Sequence, residues 1–566
     1  MLLKVKREIF LNILIIMLFL MLSYLFVFQL LQTGMIKNGD DAWFQINRIL
    51  EIRESIKVGN PMPYLFTHSF GKIAYPLGIF YPEVTLIPIA LLSLIFENSV
   101  TGIYVGISMY TFLTLCVMYF ILRKINMGKT ASVVGAILYA FSAYRTVDAF
   151  TRFAMGEFLA MTFVPLFFYG LYSILKENYM EWPYLSLGYI AIVLSHVLSA
   201  FIMLLILLVL MLTIFFTDNK VKKMAYLVYS GIASVLGSLI FLIPFLEQEI
   251  YQKYSKPDPI DLFSTAQPFG DMFISALNNS VDKNNMGASY SIGLPLLVVF
   301  FIGIIYYNKL NKEGKFIYIF GSIFLLCSSK LFPWFILQDT PISVIQYPFR
   351  LLVVPTFCFS VIGTILVNDF LNNGSINRMV PILTICIMII FLWMSSMKIL
   401  LVNEKFNDKV LSYTNVSGFF EGTDTIDQYT PLQSHKNLER IAQHIATVDD
   451  KDIRVDAIGI PNEQKYESVH FKKGTYVELP VSFYKNYQVY QNGKKLSIDR
   501  STENSLRVKL KNNSKELVVK YKYSYLDILS YITSMLVCIS LLILVIYNEL
   551  KNGANRKIEQ WRENIL

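Results

Sequence analysis

Twelve apolar runs partition this chain, near residues 9–31, 100–122, 130–147, 157–176, 182–199, 200–216, 224–246, 290–307, 315–332, 350–368, 379–401 and 525–548. About 20 consecutive apolar residues in a helix match the hydrocarbon core of a bilayer. A chain divided this way has no single soluble core to fold around. Composition agrees: 54% of residues are hydrophobic and 16% charged, where soluble domains carry about 25% charged residues. The reading is an α-helical integral membrane protein with a bundle of about twelve transmembrane helices.

Charge fixes the expected topology. Met1–Arg7 is basic, and the Ile9–Leu31 run that follows is too long for a signal-peptide core and has no A-x-A site, so it reads as a retained signal anchor. Basic residues mark the short loops Arg123–Lys129, Lys220–Lys223, Lys309–Lys315 and the one ending at Arg378, together with Lys551, Arg556, Lys557 and Arg562 in the tail. The positive-inside rule places all of these in the cytoplasm. Twelve crossings of the cell membrane with cytoplasmic N- and C-termini satisfy every one. For that parity, Glu83–Phe96, which follows Pro82 and contains Pro88, is expected to be a short interfacial or half-embedded helix. The net charge of +9 is then a topology signal, and no nucleic-acid partner is implied. The five cysteines lie in or beside apolar runs with no C-x-x-C pairing, so neither a disulfide framework nor a thiolate metal site is expected.

Three segments are expected outside: the loops 32–99 and 247–290, and residues 402–523. In the last, Tyr476–Leu479, Gln488–Tyr490, Lys494–Ile498, Ser505–Lys509 and Glu516–Lys522 read as antiparallel strands. Asn492-Gly493 is a hairpin signal, because a type I′ turn needs positive φ at both positions. A small β-sandwich-like domain is expected there, after a polar, partly helical stretch over Glu421–Asp456. The chain thus divides into a transmembrane domain (1–401), an extracellular β-rich domain (402–523), and a last helix with a cytoplasmic tail (524–566).

Ionisable residues at the outer helix ends are the candidates for chemistry, because charge at membrane depth is costly. Asp40 and Asp41 follow the first span. A carboxylate there can act as general base toward a sugar hydroxyl or hold a divalent cation near a phosphate; capping the amphipathic helix that follows is the simpler role. In Ala143–Glu157, a regular helix would align Arg145, Asp148 and Arg152 on one face. Two guanidiniums against one carboxylate suit a lipid-linked phosphate, and a structural ion-pair network is the alternative. Arg350, after Tyr347-Pro348-Phe349, lies away from the cytoplasmic positive charge and is read as an anion ligand. Glu157 and His196 are supporting candidates, with a buried core histidine as the plainer reading of His196. Trp43, Tyr75 and Tyr81 are candidates for a sugar or acceptor groove, with interfacial anchoring as the plainer reading. The chain has no P-loop, no G-x-S-x-G and no H-E-x-x-H. Its five histidines are scattered, and His435 and His444 do not have a zinc spacing.

These residues fall into blocks that resemble a family of bacterial multipass proteins labelled 6-pyruvoyl-tetrahydropterin synthase-related, akin to YfhO-like proteins and the GT-C glycosyltransferases. The family pattern opens G-H-D-x-x-F-H-x-x-R-I, matched by Gly39–Ile49. A G-Y-P-x-G-x-F-Y-P loop follows, matched by Ala74–Pro82. Next come an A-Y-R-x-x-D-x-x-x-R-x-A-x-G-E block (Ala143–Glu157), an S-H pair (Ser195-His196) and F-P-W-R (Tyr347–Arg350). Asp40 and Gln45 stand where the family has histidines, so any metal or proton-shuttle role of those histidines is lost or altered here. Asp41 is the aligned aspartate and ranks above Asp40. A pterin-synthase zinc site of three histidines is absent from the sequence, and pterin chemistry is set aside.

The resemblance implies a GT-C-like membrane glycosyltransferase. Such an enzyme moves a sugar from a polyprenyl-phosphate carrier to a cell-envelope glycan, such as teichoic acid or another polysaccharide, on the outer face. Asp41 would be the base or cation ligand, supported by Asp40, and Arg145, Arg152 and Arg350 would hold the carrier phosphate. As a base Asp41 needs no cofactor; as a cation ligand it would hold a divalent cation. A transporter or flippase of lipid-linked sugars, or a non-catalytic envelope-assembly scaffold, would use the same arginines without a catalytic acid.

Overall fold

The computed structural model describes residues 2–37, 39–96, 98–256, 260–282, 290–372, 378–403, 411–412 and 428–563. It is mostly helical, with a small β domain near the C-terminus. Seven helices are long and apolar enough to cross a membrane: Lys6–Leu31, Ser99–Lys124, Met155–Leu175, Val197–Ile214, Pro348–Asn372, Met379–Val402 and Tyr525–Lys551. The pair Lys220–Gly237 and Leu239–Tyr251 makes an eighth if counted as one span bent by 71°. The bend lies at Ser238, whose φ of −102° and ψ of 2° leave the helical region and interrupt the backbone ladder. By length and composition these helices suit a multipass membrane protein; the expected twelve crossings are not shown.

The other four runs form shorter helices, Lys129–Ala140, Pro183–Val193, Leu294–Tyr306 and Lys312–Cys327. Local breaks shorten two of them. Ser142 turns extended (φ −61°, ψ 148°). His196, also extended, caps the next helix by accepting from the Ser199 amide through its side chain, so that helix starts at Val197 and not near 200. Glu83–Phe96 contains a nine-residue helix, Ile87–Ile95, with Pro88 in its first turn; it is too short to cross a bilayer.

The helix after Asp41, Ala42–Ile56, differs from the expected amphipathic helix on a membrane surface. Ile46, Ile49, Leu50 and Ile52 pack with Ile89 and Ala90 into the main core, while the polar Gln45, Asn47, Arg48 and Glu51 are buried as well. Glu51 is a hub for the loop. Its carboxylate accepts from the backbone amides of Thr67 (2.6 Å), His68 (3.1 Å) and Ser69 (3.1 Å) and from the Ser69 hydroxyl (2.8 Å).

The β domain has two five-stranded antiparallel sheets. One orders as Ile498–Arg500, Ser505–Lys509, Tyr476–Ser482, Ile445–Val448, Lys451–Arg454; the other as Asp456–Ile460, Glu463–Glu467, Glu516–Tyr521, Tyr487–Gln491, Lys494–Lys495. Val477, Leu479, Leu506 and Val508 of the first share one core with Tyr466, Val489, Leu517 and Val519 of the second, the arrangement of a sandwich. Asn492 (φ 50°) and Gly493 (φ 74°) make the expected turn. The stretch Glu421–Asp456 is only partly as expected: Leu432–Ala442 is helical, strands occupy 445–448 and 451–454, and 421–427 lie outside the described residues.

This domain grips the first loop. Tyr487 donates to the Ala74 carbonyl (2.6 Å), the Thr67 hydroxyl to Ile460 O (2.8 Å) and the Ser55 hydroxyl to Asn462 Oδ1 (2.8 Å). A Cβ on Gly459 would stand 2.0 Å from Thr67 O, so only glycine allows that approach.

Candidate functional site

The site is built where the first loop lies on the segment between two helices. Gly39 rests directly on Thr151 and Arg152; a Cβ there would meet the backbone of both at 2.6–2.7 Å. The Asp41 amide then donates to Arg152 O (2.9 Å). Asp41 immediately precedes the helix Ala42–Ile56, but its side chain makes no capping bond. Capping therefore does not explain this residue. Its half-buried carboxyl lies within electrostatic reach of Arg152, Glu157, Arg350 and Asp40. Burial pushes it above the ordinary carboxylate range, against the pull of Arg152. Asp40 is exposed and accepts from the Tyr290 hydroxyl (3.2 Å).

The Ala143–Glu157 block is not one regular helix. Ala143–Thr146 is α-helical, Val147–Thr151 widens to a π-turn, Phe153 is left-handed (φ 55°), and a new helix starts at Met155. This local rewinding is common at functional sites. It separates the residues that regular spacing would align. Arg152 Nη1 donates to Asp148 Oδ1 (2.6 Å) and Glu157 Oε2 (2.5 Å). Arg350 joins from far along the chain, its Nε donating to Glu157 Oε1 (2.7 Å) and its Nη1 to Ile345 O (2.7 Å) and Gln346 Oε1 (3.1 Å). Tyr144 donates to Glu157 Oε2 (3.2 Å), and Phe349 lies under the Arg152 guanidinium at 4.8 Å.

Arg145 corrects the expectation of a shared face. It turns to the other side, fully buried, with Nη2 on Thr114 (2.9 Å) and Nη1 on Thr111 and Ala140 O (both 3.3 Å), stacked 4.2 Å from the Phe158 ring. It does not join Arg152 and Arg350, and a phosphate role for it has no geometric basis. The expected excess of positive charge also falls away: Arg152 and Arg350 are matched by Asp148 and Glu157.

His196 and Tyr81 line the opposite side. A Cβ on Gly156 would stand 2.8 Å from His196 Cδ2 and 3.1 Å from the Tyr81 hydroxyl. His196 Nδ1 accepts from the Ser199 amide (3.2 Å), which leaves the ring proton on Nε2. Tyr81 is covered by the Arg48 guanidinium at 4.1 Å, and burial raises its phenol. Trp43 packs edge-on to Phe70 at 5.2 Å. Tyr75 is a corrected candidate: it is buried in the Phe66–Phe70 cluster and donates to Gln428 O, so it lines no groove.

A small cavity of about 10 Å³, room for one water at most, adjoins this cluster. Tyr144, Asp148, Glu157 and Arg350 form its polar end; Ala160, Met161, Val164, Ile202, Met203 and Val353 form its apolar walls. Among the described residues, no three His, Cys, Asp or Glu side chains converge as a metal site, so a cation at Asp40 and Asp41 would need ligand oxygens from a substrate. No family model and no curated protein matches this sequence.

Four contributors went unread in the sequence. Tyr290 and Tyr144 had no distinguishing signal. Gln346 holds a strained left-handed backbone (φ 62°) beside Arg350. Arg48 stood in the first block as a conspicuous cation within an apolar helix pattern, and that was signal enough to include it.

Proposed function

We propose that this protein is a membrane glycosyltransferase that moves a sugar from a polyprenyl-phosphate carrier to a cell-envelope glycan on the outer face of the membrane. One observation carries the reading: the Asp41 carboxyl lies within electrostatic reach of both Arg152 and Arg350, the two arginines that Glu157 holds together. A lipid-linked phosphate sugar offers an anionic head for those arginines and an apolar chain for the lipid around the helices.

Asp41 takes the proton of the acceptor hydroxyl as its oxygen bonds to the anomeric carbon. The bond from that carbon to the carrier phosphate oxygen breaks, and the phosphate leaves with the electron pair. A carboxylate raised above its ordinary value is a stronger base than a free one. Arg152 and Arg350, held in place by Glu157, face the developing phosphate charge. Tyr81 and His196 close the side opposite the arginines, and Trp43 stands two residues after Asp41 on the helix that follows. In this reading both termini are cytoplasmic and the β domain is extracellular. The GT-C-like resemblance of the motif blocks points the same way.

The internal charge balance of Arg152, Arg350, Asp148 and Glu157 favours a second reading, a structural lock in a transporter or envelope-assembly scaffold. Envelope glycan composition in a deletion strain, complemented with wild type or Asp41→Asn, separates the two. The transferase reading expects loss of one sugar substituent that only wild type restores. In proteoliposomes with a polyprenyl-phosphate sugar, Asp41→Asn should lower transfer by about 10²–10⁴-fold, the usual contribution of a general base. Full restoration by Asp41→Asn would remove Asp41 from the chemistry and leave the lock.

A further inference from the structure

One end of the β sandwich is a lysine crown. The strand Glu516–Tyr521 runs toward Tyr525, where the last apolar helix begins, so Glu516 marks the end of the sandwich farther from that helix by about 17 Å. Glu467 pairs with Glu516, and Tyr490 with Val518. The loops after Glu467 and Gln491 and the loop before Glu516 therefore gather at that far end.

Hydrogen bonds knit the three loops together. The Lys473 amide donates to Asn513 Oδ1 (2.8 Å), Gln491 Nε2 to Asn512 O (2.6 Å), the Ser514 hydroxyl to Asn492 Oδ1 (3.0 Å) and the Ser514 amide to Phe471 O (3.0 Å). On this frame stand Lys472, Lys473, Lys494, Lys495, Lys511 and Lys515, all exposed, and none makes an ion pair among the described residues. The acids at this end are Glu467, Glu516, Asp449 and Asp450. Both glutamates pair with Lys465 (3.8 and 2.7 Å). Asp449 accepts from the Tyr476 amide (3.0 Å) at one margin, with Asp450 beside it. The balance at the crown stays positive.

We infer that this crown binds a linear polyanion of the envelope, a polymer with phosphodiester charges repeated along its length. All six cations are lysines, compact point charges on flexible stems, which suit repeated charges better than one bidentate group. Their place at the end away from the apolar helix favours a polymer over the headgroups of the protein's own membrane. The inference rests on the extracellular placement above and assigns the acceptor a chemical class: an anionic glycan chain held at the crown while its growing end reaches Asp41.

The test is binding of fluorescent poly(glycerol phosphate) to the full-length protein in nanodiscs, without donor sugar. Neutral dextran and phosphatidylglycerol vesicles are run beside it. Wild type should bind the polymer and not dextran, with affinity falling steeply as salt rises. Lys472→Gln/Lys473→Gln/Lys494→Gln/Lys495→Gln should weaken binding roughly six-hundredfold, at about fivefold per basic side chain facing an anionic surface. Lys309→Gln/Lys312→Gln, elsewhere in the protein, should leave it unchanged. Asp41→Asn should bind polymer as wild type does, so failure of the transferase reading and failure of the crown are read separately. Equal affinity in the fourfold variant, or preference for vesicles over polymer, would overturn the inference.

Discussion

Glu157→Gln tests whether the charged cluster holds the site together. Glu157 accepts from Arg152 at 2.5 Å, Arg350 at 2.7 Å and Tyr144 at 3.2 Å, and it is 5% exposed, against 3% for Arg152. The charges of Arg152, Arg350, Asp148 and Glu157 cancel; the variant leaves one uncompensated positive charge where little water reaches. Removing one partner of a buried pair costs about 3–5 kcal/mol. Arg152 keeps Asp148 at 2.6 Å, and Arg350 keeps Ile345 O and Gln346. The loss therefore belongs near the lower end, about 3 kcal/mol. Unfolding of the purified protein in mixed micelles, followed by SDS titration, measures it. The double variant Glu157→Gln/Arg350→Gln is neutral again and should recover part of the loss, with a coupling of about 1–3 kcal/mol. A single variant within about 0.5 kcal/mol of wild type, or a coupling of zero, would refute the account of Glu157 as the shared counter-charge.

The remaining predictions concern the loop and its clamp. Because burial raises the Asp41 carboxyl, the folded chain holds that proton more tightly than the unfolded chain does. Its contribution to stability is then complete below the ordinary carboxylate range and lost as pH rises through the raised value. Transfer should run oppositely, rising with pH as the base ionises, and Asp41→Asn should flatten the stability profile in that window. Gly39→Ala forces the loop off Thr151 and Arg152 and should cost transfer more than tenfold, about 1.4 kcal/mol, while thermal stability in detergent changes little. Gly459→Ala pushes the Asp456–Ile460 strand from Thr67; hydrogen exchange should speed up across 63–81 and 456–467 but not in the apolar helices.

Much of the site was legible because it is built from residues that a membrane protein places only for cause. Asp41, Arg152, Glu157, Arg350, Tyr81 and His196 come together from five separate blocks. Arg145 was misplaced because regular helical spacing was assumed across a π-turn, and no sequence rule marks that turn. Tyr75 was misassigned because an aromatic in a Pro/Gly loop reads the same whether it lines a groove or fills a core. The twelve apolar runs are helices, but hydropathy does not register breaks such as Ser142, Ser195-His196 and Ser238, so a run in the sequence is not by itself a full-length crossing. The strands over 445–467 were missed because their inward positions include Gln464 beside Tyr466, which blurs the alternation that identifies a strand. Pro461-Asn462, with Asn462 left-handed (φ 64°), was an unused turn signal.

The grip of the β domain on the first loop sets an order of events during synthesis. Residues 39–81 leave the ribosome early, yet Ser55, Thr67 and Ala74 wait for partners at Asn462, Ile460 and Tyr487. Nearly four hundred residues, including most of the apolar helices, must be translated and inserted before that loop is fastened. Until then the loop that begins at Asp41 lacks these three bonds. A chain stalled or clipped before the sandwich would keep its helices and lack a finished loop. The β domain thus works as a completeness check on a loop made long before it.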